Sequence, residues 1–68
     1  MIKFAVIGVG TFGIKRATAI KNSNKAKLVA ICDLNKDNVL KAQKILKVPF
    51  KSFDEILRDN EIEVVCIC

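Results

Sequence analysis

The sequence of 68 residues contains no histidine, no tryptophan and no tyrosine, and it has one proline and three glycines. Without histidine, a zinc site would need most of its ligands from elsewhere, and the three cysteines, Cys32, Cys66 and Cys68, form no C-x-x-C pair. They read instead as core thiols of a protein kept in a reducing, cytoplasmic setting. The missing tyrosine and tryptophan leave little for base stacking, the lysines are scattered, and no helix-turn-helix pattern appears. The net charge of +5, carried by 12 Lys and Arg against 7 Asp and Glu, is therefore expected to mark a solvated surface with no nucleic-acid partner. No apolar run approaches the roughly 20 residues of a membrane span, and no small-residue cleavage site follows Met1-Ile2-Lys3, so no membrane partner is expected.

What is present is the composition of a folded chain, 51% hydrophobic and 28% charged, which excludes disordered, collagen-like and low-complexity classes. Its length is about half of an ordinary domain. Lys3 to Ile7 is a continuous apolar run too short for a helix, and it predicts a strand buried on both faces. From Thr11 to about Asn22, Phe12, Ile14, Ala17 and Ile20 recur at helical spacing. Leu28 to Cys32 predicts a second strand, ended by Asp33. Beyond the turn residues of 33–38, Val39, Leu40, Ala42, Ile45 and Leu46 form a second helical stripe, closed by Pro49. Phe50-Lys51 predicts a brief third strand. Ser52 and Glu55 match a capping box that opens a short helix to about Arg58. Ile62 to Cys68 predicts a fourth strand. This alternation of strand and helix, with short connections, implies a parallel sheet and the start of an α/β, doubly wound fold, expected to be incomplete because the residues end inside or just after the fourth strand.

All three glycines fall in Gly8-Val9-Gly10-Thr11-Phe12-Gly13, after a predicted strand and at the opening of a predicted helix. That context is what a dinucleotide-binding loop requires. Gly8 permits the tight turn, Gly10 lets a pyrophosphate approach the backbone, and Gly13 allows close packing of helix on sheet. The unpaired N–H groups of the first helical turn would face the phosphates, with Thr11 adding a hydroxyl donor. The Phe12 side chain reads as packing, its main chain as part of the loop. Asp33 stands twenty residues beyond Gly13, at a strand end, where a carboxylate can accept both hydroxyls of an adenosine ribose and repel a 2′-phosphate. NAD is the expected cofactor, with Lys36 close behind leaving NADP as the alternative. The bland reading of Asp33 is a turn residue or helix cap.

Other nucleotide motifs do not match. No G-x-x-x-x-G-K-[ST] follows the first strand, and Val6-Ile7 stands where methyltransferases that bind S-adenosylmethionine carry an acid; a flavin site stays open because the same loop serves FAD. Glu61 and Glu63 read as a solvated strand start, Lys15 and Arg16 as an outward helix face, and Cys66 with Cys68 as one face of a core strand.

Essentially the whole chain resembles the start of the Gfo/Idh/MocA oxidoreductase family. The resemblance is carried by Val6-Ile7-Gly8-Val9-Gly10-Thr11-Phe12-Gly13, by Leu28-Val29-Ala30-Ile31-Cys32-Asp33, and by Ser52 to Leu57 followed by Ile62 to Ile67. Where many members carry a histidine three residues after the third glycine, this chain has Arg16. The resemblance implies a Rossmann domain and NAD(P)-dependent hydride transfer at a carbinol carbon of a sugar, polyol or related small molecule. It also implies a later Glu-Lys-Pro segment and a second, mostly β domain, neither of which lies in these residues. Residues 1–68 are thus expected to be the N-terminal part of a dinucleotide-binding domain, with no catalytic residue and no metal ligand of their own. The alternative from a different class is a module that senses NAD without chemistry. The bare fourth strand and the thinly covered sheet face also predict self-association.

Overall fold

A chain that alternates apolar strands with helices has to cross over between strands, so its strands pair in parallel. The computed structural model describes all 68 residues. Strand β1 (Ile2–Ile7) leads into helix α1 (Thr11–Lys21), then β2 (Ala26–Cys32), α2 (Lys36–Leu46), α3 (Phe53–Arg58) and β3 (Val64–Ile67). The sheet order is β2-β1-β3, and both pairings are parallel. β3 corresponds to the fourth strand expected from the sequence.

The brief strand expected at Phe50-Lys51 is a correction. It shrinks to a single parallel bridge between Ile31 and Phe50, flanked by bonds from Ile31 N–H to the Pro49 carbonyl at 3.1 Å and from Lys51 N–H to the Ile31 carbonyl at 3.0 Å. Pro49 has no N–H to extend the ladder, and the cap of α3 begins at Ser52, so no room remains for a strand. With that bridge counted, the spatial order runs bridge, β2, β1, β3, which matches the first four strands of the 3-2-1-4-5-6 arrangement of doubly wound sheets.

The two sheet faces are covered unequally, as the topology requires. Val6, Val9 and Leu28 pack with Ala17 of α1 and with Ala42 and Leu46 of α2 on one face. Ala5, Ala30 and Cys32 meet Ile56 of α3 on the other. Burial is narrower than the sequence stripes suggested. In α2 only Val39, Ala42 and Leu46 are buried, whereas Leu40 and Ile45 are more than half exposed. Three strands offer too little width to cover a broader helix face. Phe12 is 80% exposed, which corrects its reading as a packing residue: its neighbour Gly13 lies against the sheet and turns the ring outward, where Lys15 Nζ sits 6.0 Å from its centroid. The cysteines also divide. Cys32 is buried, Cys66 half-buried and Cys68 exposed, because β3 is the sheet edge.

Local signals set the helix ends. Asn35 accepts from the N–H groups of Asp37 and Asn38 at the start of α2, and Ser52 with Glu55 forms the expected capping box of α3. Helix α2 stops at a left-handed Lys47, φ 54°, two residues before Pro49. Lys21 Nζ donates to the Leu46 carbonyl and ties the ends of α1 and α2 together.

Candidate functional site

Register places the site. Ile7 is paired with Cys32 on one side and with Ile67 on the other, so the carboxyl tips of all three strands are level. The residues that follow, Gly8, Asp33 and Cys68, are held side by side by bonds from Gly8 N–H to the Cys32 carbonyl at 2.8 Å and from Cys68 N–H to the Ile7 carbonyl at 2.9 Å. In open parallel sheets, ligands bind outside this edge.

The three glycines prove to have different causes. Gly8 adopts φ 93°, and a Cβ there would lie 2.5 Å from the Cys68 carbonyl oxygen. A Cβ on Gly13 would lie 1.7 Å from the Gly8 carbonyl oxygen and 2.7 Å from its carbon, so the first turn of α1 rests directly on the strand-to-helix bend. Both glycines are needed by the protein itself. At Gly10, a Cβ would meet only Asn38 Nδ2, at 3.8 Å. Nothing in the protein requires glycine at Gly10, and the space beside it is free for something else. Gly10 also caps α1 with no side-chain hydrogen bond, which leaves N–H groups of the first turn without a side-chain acceptor. Thr11 and Phe12 stand exposed at that turn. Val9 enters differently: its side chain is fully buried, and its N–H is turned to Asp33.

Asp33 is the joint of the site. Its Oδ2 accepts from Val9 N–H at 2.8 Å and from Asn38 Nδ2 at 3.3 Å, and its Oδ1 accepts from Asn35 N–H at 2.8 Å. These donors, Asn35 first, then Val9, Asn38 and the Leu34 backbone, hold its carboxyl below the ordinary aspartate value against the opposing effect of partial burial. Asp33 is therefore both a turn residue and the anionic wall of a cleft.

That cleft runs across the sheet edge. One part, about 290 Å³, is bordered by the glycine loop, Asp33, Asn38 and Cys68. An adjoining apolar part of about 530 Å³ is bordered by Ile7, Cys32, Leu34, Phe53 and Ile67, and Gly8, Asp33 and Cys68 border both. Sequence reading missed Asn38, Leu34, Phe53, Ile67 and Cys68. For Asn38 a signal existed, since the third position after an Asn35 cap returns to the same helix end as Asp33. Phe53 and Cys68 depend on register and could not be found by spacing. Glu61 and Glu63 lie at the opposite, amino end of the sheet, where Glu63 Oε1 accepts from Lys3 N–H at 3.2 Å and Glu61 lies 3.8 Å from Lys3 Nζ. Lys15 and Arg16 are exposed.

A glycine bend opening the first helix, free first-turn amides and an ionised acid at the neighbouring strand tip define a dinucleotide-binding domain of the Rossmann class. The residues present fit such a cofactor, because Gly10 leaves the amides open to a diphosphate and the Asp33 carboxylate has the acceptor chemistry that ribose hydroxyls require. The chain belongs to the GFO_IDH_MocA oxidoreductase family, NAD-binding Rossmann fold, whose profile matches residues 2–68. Among solved structures it is similar to a scyllo-inositol dehydrogenase from Lactobacillus casei with bound NAD(H) and scyllo-inositol, at 31% identity and TM-score 0.82 over 98% of this chain and 21% of that one. A protein of Sinorhizobium meliloti 1021 provisionally named a myo-inositol dehydrogenase matches at 25% identity and TM-score 0.94, over 100% of this chain and 21% of that one. A biliverdin reductase of Synechocystis sp. PCC 6803, in complex with biliverdin and NADP+, shares the fold at 24% identity and TM-score 0.89, over 98% of this chain and 22% of that one. No curated protein matches the chain. The chain spans about a fifth of the length of these solved structures.

Proposed function

We propose that residues 1–68 are the N-terminal part of the cofactor domain of an oxidoreductase that moves hydride between NAD and a sugar, polyol or related small hydroxy compound. One observation carries the reading. The 2.8 Å bond from Val9 N–H to Asp33 Oδ2 locks the phosphate loop and the ribose acid into one rigid unit, while the outer side of Gly10 stays open. In this reading the diphosphate rests on the main chain of Gly8 to Gly13, Thr11 adds its hydroxyl, Asp33 accepts from the adenosine ribose, and the base takes the apolar cleft between Leu34, Phe53 and Ile67. An acid held ionised opposes a 2′-phosphate, so NAD is preferred to NADP, although Lys36 borders a neighbouring groove with Asp33.

The polyol assignment is supported by the likeness to an inositol dehydrogenase at 31% identity. The titratable side chains bordering the cleft are Cys32, Asp33 and Cys68. Asp33 is occupied with the ribose in this reading, so proton transfer from a carbinol falls to residues beyond this stretch. The three free thiols accord with a reducing cytoplasm. The test is titration of the full-length protein with NAD+ and NADP+, followed by assay of NADH formation with a panel of inositols and sugars. Tighter binding of NAD+ and turnover of at least one polyol are expected; no binding of either dinucleotide would refute the cofactor reading, and binding without any turnover would favour the sensor class.

A further inference from the structure

Asn38 borders both parts of the machinery. It lies half-buried in the first turn of α2, with Nδ2 3.3 Å from Asp33 Oδ2 and 3.8 Å from the point where Gly10 would carry a Cβ. Its own N–H is given to Asn35 Oδ1 at 3.3 Å, which anchors its main chain and leaves the side chain free to turn. The amide nitrogen, not the oxygen, must face Asp33, because an ionised carboxylate only accepts.

An ionised carboxylate offers about four acceptor directions. Three are filled in Asp33 by bonds of ordinary geometry, from Asn35 N–H and Val9 N–H at 2.8 Å and from Asn38 Nδ2 at 3.3 Å, while the Leu34 backbone contributes least and makes no such bond. A ribose that presents two hydroxyls needs two directions, so one of the present donors has to leave. The two main-chain donors are short and belong to the turns that build the cleft. The side-chain donor is the longest bond of the three, and it swings about its own torsions. Once displaced, its amide lies beside the open flank of Gly10, where the diphosphate would rest.

Resting on the dinucleotide reading above, we propose that Asn38 is a positioning residue. It satisfies Asp33 until the adenosine ribose takes its place, and its amide then turns to donate to the diphosphate. Asn38 thereby couples recognition of the sugar to recognition of the phosphates.

The test compares wild type with Asn38→Leu and Asn38→Gln in the full-length protein, using NAD+, ADP and adenosine as probes in calorimetry or in competition with NADH fluorescence. Loss of a hydrogen bond to a charged group predicts about tenfold weaker binding of NAD+ and ADP to Asn38→Leu. Adenosine, which has the ribose but no phosphate, should change by less than about twofold, since the only bond it loses is one that the ribose displaces anyway. Asn38→Gln, which keeps the amide, should recover most of the loss. Unchanged ADP affinity in Asn38→Leu overturns the proposal, and so does equal weakening of ADP and adenosine, which would mean that Asn38 only holds the fold. Failure of the dinucleotide reading itself looks different, because wild type would then bind neither NAD+ nor ADP.

Discussion

Gly13→Ala isolates the contact on which the whole cleft is built. The added methyl would sit 1.7 Å from the Gly8 carbonyl oxygen, whereas real Cβ contacts essentially never fall under 3.0 Å. Both partners are main chain, so no side chain can rotate away. Helix α1 would have to retreat by about 1.3 Å, which loosens Ala17 in the core and pulls on the Val9 bond to Asp33. Alanine inside a helix is otherwise better than glycine by about 1 kcal/mol. Backbone overpacking of this depth costs on the order of 3 kcal/mol or more, so the clash wins. A chain of this length has a total stability of only about 3–10 kcal/mol. Urea unfolding followed by circular dichroism should show a large loss, and a thermal midpoint should fall by more than about 10 °C. Gly10→Ala is the control. Its Cβ would meet only Asn38 Nδ2 at 3.8 Å, so stability should change by no more than about 1 kcal/mol, while NAD+ binding weakens more than about tenfold. A Gly13→Ala midpoint equal to or above wild type would refute the packing account, and a Gly10→Ala protein that binds NAD+ normally would refute the open cradle.

Asp33→Ala should weaken NAD+ binding and narrow its margin over NADP+; titrations in which neither affinity moves would remove the ribose role. Asp33 and Glu55 are both held below their ordinary values of 3.8 and 4.5, by donation from Asn35 and from Ser52 respectively. Their stabilisation is therefore complete above those ordinary values and fades as pH falls through the lower folded ones. The urea midpoint of wild type should drop in that acid range, with a shallower drop in Asp33→Asn; identical acid slopes would contradict the assignment. Ser52→Ala removes one half of the capping box and should cost about 1 kcal/mol, read from the same unfolding curves, with no change counting against it. The outer edge of β3 has no partner strand, and Ile67 is 75% exposed. The isolated chain should therefore associate at high micromolar concentration; a clean monomer in sedimentation with cooperative unfolding would show the edge to be harmless.

Periodicity and local chemistry determined much of this protein directly. The apolar runs through Ala5 and Ala30, the stripe through Val39 and Leu46, the Ser52 and Glu55 cap, and the glycine bend all act within a few residues of chain, so their order in the sequence is enough to read them. The parallel pairing follows too, since each crossover contains a helix. The bridge at Phe50, the outward turn of Phe12 and the exposure of Leu40 and Cys68 were not legible, because each depends on how wide the sheet is and where its edge falls. Tertiary structure alone decided how the site is joined. β1 and β2 slip register by one residue between Phe4 and Ala5, and that slip sets Ile7 opposite Cys32, level with the acid at the strand tip. Asp33 reaches Val9 only from there. Pairing register is a property of two strands at once, so neither strand read alone could specify it.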